Sequence, residues 1–239
     1  MQVNPIELEV NGQNLRGNLY KAEDPKPLAF LFLHGWTGMP NEDAAKIMAQ
    51  NGFTCMTFSL SGHNNSDGKI EEQTRQKSFQ EVIAAYNFLK TKLLSNSRIG
   101  VVGTSYGSYL AAVLSSEVEV SCMSLRVPAN YRDELFDELQ IGQGADNPEV
   151  VQWRKLKLDF NETSALRAVH SFNGPIQIIE AGDDDRVSHQ AVQNYVDAVS
   201  DKTKLDYHFM KDWPHSLGEG KARNQKFQEI LLSWAQQQK

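Results

Sequence analysis

A serine in this chain has a glycine two residues to either side, in Gly103-Thr104-Ser105-Tyr106-Gly107, between two apolar stretches. Ile99-Gly100-Val101-Val102 precedes it and has strand character, whereas Ser108 to Leu114 follows with helical spacing. A strand, then G-x-S-x-G, then a helix is the arrangement of a nucleophile elbow. The serine occupies a sharp, strained turn, and its hydroxyl stands above the C-terminal edge of a sheet. A Cβ at either glycine is expected to clash where helix and strand pack closely. An elbow requires a parallel sheet with helices, so the rest of the chain must supply one.

Alternating polar and apolar residues at 6–20, split by Asn11-Gly12, predict a hairpin. Leu28-Ala-Phe-Leu-Phe-Leu33 is an unbroken apolar run, as expected of a strand covered on both faces. Helical spacing follows at 41–51, a strand at 53–60, loop composition at 61–68 and a long helix at about 71–94. After the elbow comes a strand at about 119–126. Regular alternation of strand and helix predicts an α/β fold with a mostly parallel sheet. The rhythm breaks at 128–162, which is read as a cap insertion holding a helix at Tyr131–Leu139 and another near 149–160. Alternation resumes with a helix at 163–171, a strand at 176–179, a helix at 188–199, a strand at 204–210 and a terminal helix at 221–237. The 239 residues suit a single domain.

Composition excludes several functions. A formal net charge of −6 argues against general nucleic-acid binding. The N-terminus lacks the basic and apolar regions of a secretion signal, and no apolar run approaches the ~18 residues of a membrane span. The expected location is therefore the cytoplasm. Cys55 and Cys122, the two cysteines, fall in apolar runs and read as buried hydrophobes. No metal-ligand spacing is present, and neither a metal nor a cofactor is expected.

Serine needs a base to become a nucleophile, and the base needs a group that fixes its tautomer. In an open α/β sheet such groups gather at the C-terminal strand ends. His215, in the loop after the 204–210 strand, is the expected base. The acid is sought in Glu180-Ala-Gly-Asp-Asp-Asp-Arg-Val187. Asp185, three residues beyond Gly182, is the expected acid; Asp183 and Asp184 read as a helix cap or as solvated. The expected oxyanion donors are the backbone N–H groups of Tyr106, at the start of the elbow helix, and Trp36, in the loop after the 28–33 strand. His63 lies in a loop that can approach the site.

With these residues placed, the chain resembles the α/β-hydrolases over nearly its whole length. The order Ser105, Asp185, His215 is that family's order. His34-Gly35-Trp36-Thr37-Gly38 matches its H-G-x-x-G loop, and 62–68 is similar to its G-H-G-x-S-x-G loop with Asn64 at the second glycine. Pro214 and Ser108 depart from the usual small residues. The short cap resembles that of the monoacylglycerol-lipase, feruloyl-esterase and serine-aminopeptidase-like branch. The resemblance implies a serine hydrolase whose partner is a small acyl ester. Peptidase, amidase or thioesterase activity is the alternative within the same machinery, and a non-catalytic receptor is the alternative outside it. The cap residues Tyr131, Leu135, Phe136 and Trp153 are expected either to line an apolar pocket or to pack the cap down.

Overall fold

A computed structural model describes residues 1–218 and 220–238. The chain opens with the hairpin, β1 (Gln2–Val10) and β2 (Gln13–Lys21). Asn11 and Gly12 join the strands at φ of 52° and 77°, which asparagine and glycine tolerate best. Then follow β3 (Leu28–Leu33), α1 (Glu42–Gln50), β4 (Thr54–Phe58), α2 (Arg75–Thr91), β5 (Arg98–Thr104), α3 (Tyr106–Leu114) and β6 (Met123–Arg126). After an interval come α4 (Pro148–Trp153), α5 (Ser164–Ser171), β7 (Ile176–Asp183), α6 (His189–Ala198), β8 (Leu205–Pro214) and α7 (Lys221–Gln236).

The strands form one eight-stranded sheet in the order β1-β2-β4-β3-β5-β6-β7-β8. β1, β2 and β4 pair antiparallel in turn, and β4 through β8 run parallel. Every residue of β3 is buried. Leu31 and Leu33 face a core shared with α2, α3, α5 and α6, while Phe30 and Phe32 face a second core shared with α1 and α7. Alternate side chains of a strand point to opposite faces, so an unbroken apolar run is what two cores require. The fold is therefore the α/β-hydrolase type, with the C-terminal ends of β3, β5, β6 and β7 opening on one edge.

The insertion departs from its reading. Tyr131–Leu139 is not a helix; only a single 3₁₀ turn forms, at Asp133–Leu135. The second helix is α4, which ends at Trp153 rather than near 160. Side chains hold this segment instead: Gln143 Nε2 donates to Leu139 O at 2.6 Å, and buried Arg154 donates to Asn130 O at 3.2 Å and Gln143 O at 3.3 Å. The two Arg154 bonds span 24 and 11 residues and leave no periodic trace in a sequence. Elsewhere, β6 begins four residues later than expected and β8 runs four residues further, to Pro214.

Candidate active site

The elbow is built by contact distances. A Cβ on Gly103 would lie 2.5 Å from Gly107 O, and one on Gly107 would lie 2.2 Å from Leu33 O. Only glycine lets α3 approach β3 and β5 this closely. Ser105 sits between strand and helix at φ 54° and ψ −112°, a strained conformation for a residue with a side chain. Its N–H donates to Arg126 O at 2.8 Å, and Ser108 Oγ donates to the same carbonyl at 3.0 Å. Ser108 thus uses its hydroxyl where the resemblance leads one to expect glycine.

His215 Nε2 lies 3.1 Å from Ser105 Oγ, and its Nδ1 lies 2.8 and 2.9 Å from the two carboxylate oxygens of Asp184. With Nδ1 donating to a carboxylate, Nε2 is left to accept the serine proton. The Asp184 side chain is only 5% exposed, and its Oδ1 also accepts from the N–H groups of Arg186 and Val187 at 2.9 and 2.8 Å.

The aspartate that meets His215 is therefore Asp184, which corrects the expectation of Asp185. Asp185 has its side chain 79% exposed, with Arg186 4.0 Å away. The reason lies in Gly182. Counting three residues on from Gly182 takes it as the start of the turn, but it is still within β7, and a Cβ there would meet Lys211 O of β8 at 2.2 Å. The strand pairing shifts register at this point and Asp183 still pairs with Pro214, so the chain leaves the sheet only after Asp183 and Asp184 is the first residue beyond the strand. The available signal was Asp184 followed by two backbone donors, an Asx turn.

The loop after β3 lies against the elbow. A Cβ at Gly35 would sit 3.4 Å from Ser105 Cβ. Gly38 N donates to Gly35 O at 2.8 Å, closing a tight turn around Trp36 and Thr37, with Thr37 at φ 59°. The turn is anchored through His34: Leu60 N donates to His34 Nε2 at 3.0 Å, and His34 Nδ1 lies 2.8 Å from Gly35 O. Burial draws the His34 pKa down to about 4, with the neighbouring His63 ring adding to the effect. His34 is thus neutral, with its proton on Nδ1. Trp36 packs edge-on against Tyr106 at 5.5 Å and His63 at 5.0 Å. His63 therefore supports the Trp36 turn rather than Ser105. Asn64, at φ 48°, takes the left-handed backbone that asparagine tolerates, which accounts for its place in the 62–68 loop. The N–H of Tyr106 opens α3, where helical geometry leaves the first amides without helical acceptors.

Ser105 and His215 open onto a cavity of about 670 Å³ whose walls include Trp36, Met39, Arg126, Leu217 and Phe227. No residue of 128–162 lines it. The four cap residues divide between the two expectations. Tyr131 lies among Tyr106 and Tyr109 at 5.5 and 4.9 Å, and Phe136 packs on Phe79. Leu135 and Trp153 border a separate small cavity of about 80 Å³. Arg126, at the end of β6, is buried; desolvation draws its pKa down to about 10, opposed by the charge of Asp184, so it is cationic at neutral pH.

The family model that matches this sequence is that of the prolyl oligopeptidase family, over residues 42–239. The chain belongs to the prolyl oligopeptidase family. It is accordingly a serine hydrolase, and the match spans the elbow, the Asp184 turn and the His215 loop. No curated protein matches the sequence. Among solved structures, an esterase from Pyrococcus furiosus aligns at TM-score 0.70 and 20% identity, covering 99% of this chain and 93% of that one. A Butyrivibrio proteoclasticus protein with bound ferulic acid aligns at TM-score 0.68 and 17% identity, covering 95% and 98%. The acylaminoacyl peptidase of Pyrococcus horikoshii aligns at TM-score 0.73 and 20% identity, covering 99% of this chain but 41% of that one. At these identities the likeness concerns the fold. None of the described helices is long and apolar enough to cross a membrane.

Proposed function

We propose that this member of the prolyl oligopeptidase family cleaves carboxylic esters through an acyl-enzyme on Ser105. The observation that carries the reading is the unbroken hydrogen-bonded chain from Ser105 Oγ through His215 to Asp184 at the wall of the 670 Å³ cavity. His215 Nε2 takes the proton of Ser105 as Oγ attacks the acyl carbonyl. The N–H groups of Trp36 and Tyr106 receive the oxyanion, where one such donor typically contributes on the order of 10²–10³ in turnover. Asp184 steadies the imidazolium, which then protonates the departing alkoxide. Water, deprotonated by the same imidazole, releases the acid and restores Ser105. The steps use no metal or cofactor.

An ester is preferred because an alkoxide leaves more readily than an amine. The similarly sized esterase and ferulic-acid-binding neighbours support this choice. The peptidase reading is favoured by a separate observation, the family match together with the acylaminoacyl peptidase likeness. Kinetics on p-nitrophenyl esters, aminoacyl-naphthylamides and acyl-CoAs separate the readings. The ester proposal expects kcat/KM to be highest on the esters. A naphthylamide or acyl-CoA exceeding every ester would reject it.

A further inference from the structure

Arg126 joins the two halves of the site. Its carbonyl accepts from the N–H of Ser105 at 2.8 Å, while its Nη2 donates to the His215 carbonyl at 2.9 Å. Its guanidinium lies 5.9 Å from the Phe227 ring centroid, and Nη1 is buried with no hydrogen-bond partner among the described residues. The next residue, Val127, is held at φ 43°, a strained backbone for a β-branched side chain, by its N–H bond to Ile179 O at 2.8 Å. A buried cation short of hydrogen bonds, followed by a strained residue, is costly to stability and calls for a use.

We propose that Arg126 is a positioning residue: it holds the backbone of His215 at its height over Ser105, and its charge opposes protonation of the imidazole. The inference rests on the reading of His215 as base. His215 faces Asp184 from the loop after β7, Arg126 from the end of β6 and the uncharged Ser105 from the elbow. Glu42 and Asp43 of α1 and Arg186 also border the cavity; α7 contributes the uncharged Asn224, Phe227 and Gln228. With the imidazole neutral, Arg126 and Asp184 balance one another. Removing the cation leaves Asp184 unopposed, and protonation of His215 becomes easier.

The test uses R126Q, which can still donate to the His215 carbonyl but carries no charge, and R126K, which keeps the charge. The titration midpoint of His215 is read by NMR on ¹⁵N-histidine-labelled protein, beside kcat and KM on a p-nitrophenyl ester. R126Q is expected to raise the midpoint above that of the wild type. The acid limb of kcat/KM should move up with it, while KM stays within about twofold. R126K should leave the midpoint in place. Equal midpoints in all three proteins, or equal losses of kcat in both variants, would overturn the proposal. Should R126Q not fold, the guanidinium ¹⁵N shifts of Arg126 in the wild-type protein decide: the group stays charged, but its shifts must move as His215 titrates, and flat signals reject the coupling. Fluorophosphonate labelling of the wild-type protein separates the two readings. Its absence sinks the hydrolase mechanism, whereas labelling with an unmoved midpoint sinks only the role of Arg126.

Discussion

Ser105 and His215 meet above one sheet edge but are held there by different means. Ser105 is fixed by main chain: two glycines admit α3 against β3 and β5, and a sheet bond to Arg126 O locks its amide. His215 is fixed by side chains reaching across the fold, Asp184 to its ring and Arg126 to its carbonyl. Main-chain geometry is written in a few adjacent residues. Side-chain tethers join residues 31 and 89 positions apart and are invisible until the chain has folded.

The difference yields tests on both sides, of decreasing size. Asp184→Asn should lower kcat by on the order of 10⁴, because an amide at that place favours the wrong imidazole tautomer. Asp185→Asn, in solvent, should stay within about twofold. Steady-state ester kinetics on the pair decide, and a larger loss in Asp185→Asn would reverse the assignment. On the main-chain side, Gly107→Ala drives a methyl into Leu33 O and should cost about 3 kcal/mol, seen in a melting curve. An unchanged Tm would mean that α3 can shift without penalty.

His34 supplies a pH test of the same half. Its folded pKa of about 4 lies below the unfolded value, so the unfolded chain binds the proton more readily. The stabilisation is complete above the ordinary histidine pKa and drains away as pH falls towards 4, by roughly 3 kcal/mol in all. Urea melts across this range should show a shallower slope in His34→Gln than in the wild type. A smaller effect is expected where the insertion is tethered. Buried Arg75 donates to Arg132 O at 2.8 Å and Tyr109 Oη at 3.2 Å. Arg75→Met orphans that carbonyl and should cost about 1–3 kcal/mol in a denaturant melt, with kcat kept within about twofold. A collapse of kcat would place the insertion in the chemistry after all.

The same contrast explains what could be read from the sequence. The alternation of apolar runs gave the sheet and its two cores, because burial on both faces imposes its own composition, as in Leu28–Leu33. The elbow was legible because its constraint is local. The sequence points to Asp185 rather than Asp184 because Gly182 carries two possible meanings. It serves close packing against Lys211, not the turn, and only the sheet register distinguishes the two. Residues 131–139 are not helical: side chains of Arg75, 57 positions from Arg132, and of Gln143 take the Arg132 and Leu139 carbonyls, which no helical periodicity records.

Activation of Ser105 by the neighbouring imidazole is the claim beneath all of these tests. Intact-mass spectrometry after incubation with a fluorophosphonate measures it directly. A single adduct should form, map to Ser105, and vanish in Ser105→Ala and, through loss of the base, in His215→Ala. An adduct of equal rate in Ser105→Ala, or none on the folded wild-type protein, would contradict it.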